Sequence, residues 1–479
     1  MLSKKFKFIF YDYETSGINP SLDKPLQFSC TITDYNFNIL SKNICFFCTL
    51  PLDYLPNINS ILINKIAPNS ERKKNSLNEY YFSKNIYNIF SKKNLCIVGY
   101  NNLHFDDEFT RNIFYRNFLD PYSWHYKNNN SRLDVLTILR AYYSFRPDNI
   151  KWPKNIKNDL VSFKLSDFTR INNIFHNKPH DAVFDVLATI SVIKFLKKKN
   201  SKLFNYIFKN RFKKNVLKII YKNINKPIFY SSNIFGIKRF NLSTVFFLFI
   251  HPKNFNIAIM FDLSKSLKVF FYYFNKEYET NMNNISIQSL FHLGIIFIHL
   301  NKCPILAPIS VARRIDFNRI RVNFKKNTRR ILYIKKNWDI FLKLKKFFLF
   351  IYEYKIETSN VDLKIYNNFI DYHDKKLLSL IHNTQPNCFN KLNLNFNDNR
   401  MKELLFRLKA RNFPSLLNKI EKKKWKKHCL KYFNISKINK YKFDLKNMLI
   451  KNKKNYEKVF LLKQTCIYLK NIISLIIKY

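Results

Sequence analysis

Two carboxylates near the start of the chain have the spacing to hold a metal ion. Residues 6–13 are rich in aromatic and β-branched side chains, which predicts a buried strand that ends before Gly17 and Pro20. Side chains two positions apart on a strand share a face, so Asp12 and Glu14 should point the same way and could bind one divalent cation together. A strand end that simply exposes its acids to solvent explains the same pattern.

Three further acids follow a second apolar stretch. Residues 95–100 predict another buried strand, a polar turn comes next, and Asp106, Asp107 and Glu108 open a helix. Acids in the first turn complement the helix dipole, so capping accounts for one or two of them. The alternative is that Asp106 reaches the same site as the first pair.

A histidine and an acid mark a third position. From Ala182 onward, apolar residues recur at helical spacing. His180 stands at the start of this predicted helix and Asp185 lies more than one turn into it. A lone histidine is more often structural than catalytic, so the meaning of His180 depends on its neighbours.

The elements that must position these residues can be outlined from the sequence. Beyond those already named, the pattern predicts strands at 27–34, 44–50, 244–250, 257–263 and 267–273, and helices over 79–90, from 131 through 142, and from 163. The region after 355 is helical in pattern, and domain boundaries are expected near 200 and 355.

The composition favours a nucleic-acid partner. The chain has 479 residues, 47% of them apolar, which is enough for two to four domains. It carries 84 Lys and Arg against 32 Asp and Glu, a net charge of +52. The abundance of Lys, Asn, Ile, Phe and Tyr is also what an A+T-rich coding sequence produces by drift, so the charge is supporting only.

Cysteine usage and hydropathy predict a soluble cytoplasmic protein. The eight cysteines include one CxxC, Cys45 and Cys48, with no second pair to complete a zinc site, so all eight are expected to be reduced thiols. The apolar stretch 290–300 is about half the length that spans a bilayer. No membrane association is expected.

In order and spacing, the three acidic motifs resemble the DEDD superfamily of 3′→5′ exonucleases in its histidine variant. Longer segments are similar to the bacterial exodeoxyribonuclease I family: residues 11–15, 99–102, 105–108, 111–118, 120–122, 180–182, 301–304 and 410–414. The similarity covers nearly the whole chain, is densest in the first 190 residues and thins between 305 and 355.

The resemblance implies a fold of three parts. These are an α/β ribonuclease-H-like exonuclease domain, a mixed sheet with flanking helices, over 1–200; an SH3-like β domain over 201–352; and a helical C-terminal domain over 355–479. The boundaries suggested by the pattern alone agree with this division.

The resemblance also implies a catalytic site with two Mg²⁺ ions, for which Mn²⁺ can substitute. Asp12, Glu14 and Asp185 are expected to be direct ligands, and Asp106 a ligand directly or through water, because Mg²⁺ prefers carboxylate oxygens. His180 is expected to be the general base, since imidazole exchanges protons near neutral pH.

The residues that bind DNA are likewise implied by the family. They combine positive charges with aromatic rings, as single strands require, and are Arg111, Tyr122, Tyr126, Arg140, Arg146 and Lys164, with Glu14 also touching the substrate. The family usually has Trp at Tyr126 and Arg at Lys164. Trp124 is expected in the core. Lys302, Lys325, Lys326, Arg329, Arg330, Arg407 and Arg411 are further candidates for phosphate contacts.

The implied activity is processive 3′→5′ hydrolysis of single-stranded DNA to 5′-mononucleotides, in DNA repair and recombination. The expected partners are single-stranded DNA and the acidic C-terminal tail of single-stranded-DNA-binding protein, and the enzyme is expected to be a monomer. An RNA 3′-exonuclease of the same superfamily and a catalytically inactive single-strand-binding protein are the alternatives. The acids are shared by both enzymes, so only the whole-chain resemblance favours DNA.

Overall fold

The computed structural model describes residues 6–68, 76–314, 317–320, 322–350 and 358–478. Its strands are β1 Lys7–Thr15, β2 Pro25–Thr33, β3 Ile44–Phe47, β4 Leu95–Gly99, β5 Ser131–Asp134, β6 Ile228–Ser231, β7 Leu242–Ile250, β8 Ile257–Asp262, β9 Ile295–His299 and β10 Ile305–Pro308. Its helices are α1 Ile58–Asn64, α2 Glu79–Phe90, α3 Asp106–Arg116, α4 Val135–Phe145, α5 Leu165–Ile171, α6 Ala182–Lys199, α7 Ser201–Lys209, α8 Lys213–Lys222, α9 Leu267–Thr280, α10 Ile287–Leu293, α11 Phe317–Ile320, α12 Phe324–Lys336, α13 Trp338–Phe350, α14 Tyr372–Asn383, α15 Asn399–Asn412, α16 Lys419–Tyr432, α17 Ile435–Lys451 and α18 Tyr456–Lys478.

The strand β1 is the centre of a mixed sheet. It pairs antiparallel with β2 and parallel with β4, and β2 pairs antiparallel with β3. Both faces of β1 are covered, which explains why its consecutive residues Phe8, Ile9 and Phe10 are all apolar and buried. Apolar side chains of α2 and α3 join those of β1 in one core. The mixed sheet with flanking helices was predicted and is confirmed.

The chain divides into two units, and the first is built from three separate segments. It combines Met1–Asn130, His176–Ala188 and Lys355–Tyr479. Tyr80, Tyr115 and Phe118 pack in one core with apolar residues of the segment 361–408. The predicted helical C-terminal region is confirmed as α14 to α18.

A buried ion cluster lies inside the first unit. Arg411 donates to Asp53 at 2.8 Å and to Asp362 at 2.7 Å, and Arg407 donates to Asp362 at 3.0 Å and to Glu403 at 3.1 Å. The two guanidinium groups are under a tenth exposed. The prediction that they contact phosphates is therefore wrong, because each guanidinium group is buried and already paired with carboxylates of the protein.

The second unit, Ser131–Phe175 and Thr189–Tyr354, contains an antiparallel sheet. Its strand order is β10-β6-β7-β8-β9. The predicted strands at 244–250 and 257–263 are confirmed as β7 and β8. The strand predicted at 267–273 is wrong, because this segment begins α9. Its buried residues recur at helical spacing: Leu267, Phe270, Phe271 and Phe274.

The prediction of a helix from residue 131 is half right. Residues 131–134 form the buried strand β5, and the helix α4 begins at Val135. Asp134 has extended backbone angles and its side chain accepts the N–H of Leu136 at 2.9 Å, which makes it the N-cap. The acid that was predicted to lie inside the helix therefore starts it.

The helix α18 has the length and composition of a membrane span. Over Tyr456–Ile476 its mean hydropathy is 1.4, and 39% of the window is buried. Among the described residues it is the one helix with this length and composition, and it was not predicted from the sequence, where 290–300 stood as the most apolar later stretch. Leu462, Leu469 and Ile472 from α18 join a core with Trp425 of α16, as a core helix of a folded unit does.

Candidate active site

The end of β1 supplies the first two acids. Asp12 lies opposite Ser29 of β2, and Glu14 lies opposite Gln27. The alternation of side chains sends the two acids to one face and Tyr11 and Tyr13 to the other. Glu14 is only 6% exposed, so the alternative of a solvent-exposed strand end does not describe this carboxylate.

The three acids at the start of α3 have three different surroundings. Asp106 accepts a hydrogen bond from the backbone N–H of Tyr13 at 3.3 Å. Tyr13 stands between Asp12 and Glu14, so this bond holds the carboxylate of Asp106 at the end of β1. Asp107 is fully buried, where it accepts the hydroxyl of Tyr11 at 2.5 Å. Glu108 pairs with Arg111 at 2.5 Å. None of the three is an N-cap, since Phe105 holds that position without a side-chain bond.

The start of α6 presents Asp185 between two histidines. One oxygen of Asp185 lies 2.6 Å from Nε2 of His176, and the other accepts the backbone N–H of His180 at 3.2 Å. His180 is exposed and has a φ of 68°, a left-handed conformation that is uncommon for residues other than glycine. Such a backbone is maintained only where its surroundings hold it.

The acids raise one another's pKa. Burial raises the pKa of Asp12 well above its usual range, and the charges of Asp106, Asp185 and Glu14 raise it further. Burial, followed by the charges of Asp185 and Asp106, raises the pKa of Glu14 to about 8. Concentrated negative charge of this kind is relieved by a proton or by a cation.

Glu14, His180 and Asp185 could hold a metal ion together. One possible ligand atom from each lies within 4.8 Å of the others. Carboxylate oxygens with one imidazole suit a hard or borderline divalent ion. The raised pKa of Glu14 agrees with a site that a cation completes. The residues therefore fit a divalent metal.

Three of the predicted DNA contacts lie in the first unit. Arg111 is buried beneath Tyr122, with its guanidinium 5.9 Å from the ring centre. Burial alone would lower the pKa of Arg111, but the charges of Glu108, Tyr366 and Asp107 together outweigh burial and raise it. Tyr122 is half-buried and Tyr126 is exposed. Trp124 is buried against Phe90, which confirms its place in the core.

Apart from Glu14, the remaining three predicted DNA contacts lie in the second unit. The guanidinium of Arg140 lies 5.9 Å from the ring centre of Phe163. Arg146 ends α4 and donates to the carbonyl of Phe145 at 2.5 Å. Lys164 is exposed and precedes α5.

Three residues near the acids received no role from the sequence. Gln27 donates to Asp181 at 3.2 Å and accepts the N–H of Ala182 at 3.4 Å, which ties β2 to the start of α6. Asp181 adds to the raised pKa of Glu14. His176 contacts Asp185 directly. Only the four-residue spacing from His176 to His180 was visible in the sequence, and it did not distinguish a contact from a loop residue.

Family models match most of the chain. A model described as "Exonuclease" matches residues 9–193, the Exonuclease I SH3-like domain matches 211–349, and the Exonuclease I C-terminal domain matches 359–472. The predicted fold class of an exonuclease domain, an SH3-like domain and a helical C-terminal domain is confirmed.

Named relatives are similar over nearly their full length. Exodeoxyribonuclease I of Buchnera aphidicola subsp. Schizaphis graminum is 47% identical, covering 95% of this chain and 96% of the relative. Exodeoxyribonuclease I of Escherichia coli K12 is 36% identical, covering 97% of this chain and 98% of the relative.

Solved structures show the same similarity. E. coli Exonuclease I in complex with a dA16 oligonucleotide has a TM-score of 0.90 at 34% identity, covering 98% of this chain and 100% of that one. A structure of SSB/Exonuclease I with an inhibitor has a TM-score of 0.87, and the zinc-bound form of the E. coli enzyme with single-stranded DNA has 0.88. Both are 34% identical and cover 98% of this chain and 100% of theirs. With this identity over nearly the whole chain and domain matches in the same order, the chain belongs to the exodeoxyribonuclease I family.

Proposed function

We propose that this protein hydrolyses single-stranded DNA from its 3′ end and releases 5′-mononucleotides. The observation that carries the proposal is the collection of Asp12, Glu14, Asp106 and Asp185 around the end of β1, with His180 in the same ligand group. Membership of the exodeoxyribonuclease I family supports DNA as the substrate and the 3′ end as the starting point.

We propose Mg²⁺ as the metal, with Mn²⁺ as a substitute. Asp12, Glu14 and Asp185 would hold two ions, assisted by Asp106 directly or through water. When bound, the ions supply stabilisation of the negative charge on the attacking and leaving oxygens. The carboxylate-rich donor set supports Mg²⁺, and the zinc-bound form of the E. coli relative supports a divalent ion in general.

The chain's own residues would then perform the proton transfer. His180 accepts a proton from the water that attacks the terminal phosphorus. The bond from that phosphorus to the 3′ oxygen of the preceding nucleotide breaks, and this oxygen gains a proton from solvent. The 5′-mononucleotide leaves and a shorter 3′ end remains for the next cycle. The exposed ring of His180 supports access by water.

The strand would be bound by rings and positive charges. Tyr122 and Tyr126 offer faces on which bases can stack, and Glu14 touches the terminal nucleotide. Arg140, Arg146 and Lys164 would contact phosphates. Arg111 is buried under Tyr122 and pairs with Glu108, so it supports the ring more directly than it reaches a phosphate. The dA16 complex of the E. coli relative supports a single-stranded ligand.

The experiment is digestion of 5′-labelled single-stranded DNA, duplex DNA and RNA, each with Mg²⁺ and with EDTA. We expect the single strand alone to shorten from its 3′ end, and only with metal. Asp12→Asn should lower the rate by several orders of magnitude while the fold survives, because it removes a charge that binds metal. Asp159→Asn, at an exposed acid, is the matched control. Near-normal cleavage by Asp12→Asn, or a preference for RNA, would contradict the proposal.

We further propose that the acidic C-terminal tail of single-stranded-DNA-binding protein docks on a lysine-rich surface of this protein, and that the enzyme acts as a cytoplasmic monomer. The SSB/Exonuclease I structure supports the partner. A pull-down that captures the tail peptide and a scrambled peptide of equal charge alike would mean that charge alone is responsible. Free thiols at all eight cysteines agree with the cytoplasm.

A further inference from the structure

His176 is a buried histidine that the mechanism does not use. Its side chain is 4% exposed, and its Nε2 lies 2.6 Å from one oxygen of Asp185. It precedes His180 by four residues, but the group of ligand atoms within 4.8 Å of one another contains His180 and not His176. The two histidines on this short segment therefore have different surroundings.

The contact suits one tautomer of His176. A carboxylate that binds a metal ion accepts hydrogen bonds and does not donate them, so in that state Nε2 of His176 is the donor to Asp185. Hydrogen bonds to a charged acceptor are short and about twice as strong as neutral ones. With the N–H of His180 on the second oxygen at 3.2 Å, both oxygens of Asp185 are held and the rotation of the carboxylate is restricted.

The contact also acts against the repulsion among the acids. The charge of Asp185 raises the pKa of both Asp12 and Glu14, so these carboxylates repel one another. A donor that approaches Asp185 from the buried side holds this carboxylate in place against that repulsion. Side chains that orient a metal-binding carboxylate in this way typically change metal affinity by about 10–100-fold when removed.

We propose that His176 is a positioning residue that holds Asp185 in the orientation required to bind a divalent cation. The inference rests on the proposed function only in taking Asp185 as a metal ligand. It assigns the two histidines separate tasks, with His176 acting through Asp185 and His180 acting on the substrate water.

The test measures Mg²⁺ binding by titration calorimetry on the full-length protein without DNA. His176→Phe keeps a ring of similar size but removes the donor, and should weaken Mg²⁺ affinity about 10–100-fold. His176→Gln, whose amide can still donate, should recover most of that loss. His292→Phe, at an exposed histidine, is the control and should bind Mg²⁺ as the wild type does.

Two further readouts separate the explanations. The midpoint temperature of thermal unfolding, measured without metal, should be similar for His176→Gln and the wild type. Turnover by His176→Phe should largely recover at high Mg²⁺ concentration. Wild-type affinity in a folded His176→Phe, or equal weakening in the Phe and Gln variants, would overturn the positioning role. Failure of the wild type to cut DNA while it binds Mg²⁺ would instead contradict the proposed function and leave the calorimetric comparison valid.

Discussion

At the scale of residues, the acids at the end of β1 are arranged at a cost to the folded protein. Glu14 is nearly buried, and its pKa of about 8 means that it holds a proton at neutral pH when no cation is present. The pKa of Asp12 is raised as well. A proton and a metal ion therefore compete for the same oxygens.

This competition gives a prediction for pH. Below pH 8, Mg²⁺ must displace the proton of Glu14, so affinity should strengthen by up to about tenfold per pH unit from pH 6 to 8 and level off above it. Calorimetry in buffers of different ionisation enthalpy would also count the protons released. Equal affinity at pH 6 and pH 9, with no proton release, would show that Glu14 carries no proton that the ion must displace and would contradict this competition.

A second prediction concerns His180. If it is the base, His180→Ala should lower turnover by roughly 10²–10⁴-fold and leave DNA binding little changed. Single-turnover rates and fluorescence anisotropy measure the two separately, with His292→Ala as the control. Loss of DNA binding with normal turnover of the bound complex would make His180 structural, and loss of Mg²⁺ affinity alone would make it a ligand.

The sequence predicted the acids of the site but not their supports. Spacing along a strand or a helix places Asp12, Glu14 and Asp185, because these regular elements have fixed periods. Gln27 and Asp181 meet through the tertiary contact of β2 with the start of α6, and His176 reaches Asp185 from the loop before that helix. No local period encodes that contact, so their roles required the structure.

At the scale of elements, the start of α3 shows how one acidic turn performs several tasks. Asp106 is held at β1 by the N–H of Tyr13, whereas Asp107 is buried against Tyr11. Since successive helical residues point in directions about 100° apart, adjacent acids cannot share one environment. Whether an acid in this turn caps the helix or belongs to the active site therefore differs from one acid to the next.

The two elements that were mispredicted have physical explanations. The start of α9 is rich in Phe and Tyr, which favour strands by propensity, but packing of its apolar face determined the helix. Residues 131–134 were assigned to α4 because Asp134 followed by apolar residues resembles a helix interior. An N-cap has the same sequence context and an extended backbone.

The buried cluster that holds α15 gives a prediction for stability. Burial alone would raise the pKa of Asp53 and of Asp362, but the charge and hydrogen bonds of Arg411, together with the other cations nearby, keep both pKa values well below the usual range. Arg411→Met would leave both acids buried without this partner and should cost about 3–5 kcal/mol of unfolding free energy. Arg170→Met, at an exposed arginine, should change it by no more than about 0.5 kcal/mol.

Urea unfolding followed by tryptophan fluorescence measures this difference, because Trp425 stacks on His428, which contacts Asp53. The sign with pH follows from the lowered pKa values. The cluster stabilises the wild type fully above about pH 4, and this contribution is lost as the pH falls through the folded-state pKa values. An Arg411→Met protein as stable as the wild type at pH 7 would contradict the role of the cluster.

At the scale of the whole molecule, the first unit joins both ends of the chain. Tyr80 and Phe118 pack against residues of the segment 361–408, and Asn78 donates to the carbonyl of Asn412 at 3.1 Å. A fragment ending near residue 200, the first boundary predicted from the sequence, would expose this core to water. The contribution of later segments to DNA binding must therefore be tested in the full-length chain.

The second unit offers a basic surface for that test. A cavity of about 650 Å³ is lined by six cations: Lys238, Arg239, Lys265, Arg319, Lys326 and Arg330. On α12, which contributes two of them, Lys325, Lys326 and Arg329 are exposed. On α16 of the first unit, Lys422, Lys423 and Lys427 are equally exposed. If the charge excess is only compositional drift, neutralising either set should have the same effect.

We predict that the two sets differ in their effect on processive digestion. Each phosphate contact on a single strand adds about −0.7 to the slope of log affinity against log salt. Changing the α12 set to Gln should therefore reduce the steepness of this dependence by up to about 2 and shorten the runs on long labelled DNA at each salt concentration. The matched change on α16 should leave the slope and the run lengths near those of the wild type.

Both proteins should cut short oligonucleotides normally, because the acids at the end of β1 are untouched. Equal shortening by both sets would show that net charge, and not a particular surface, holds the strand. Unchanged runs in both would mean that these exposed cations take no part in processivity.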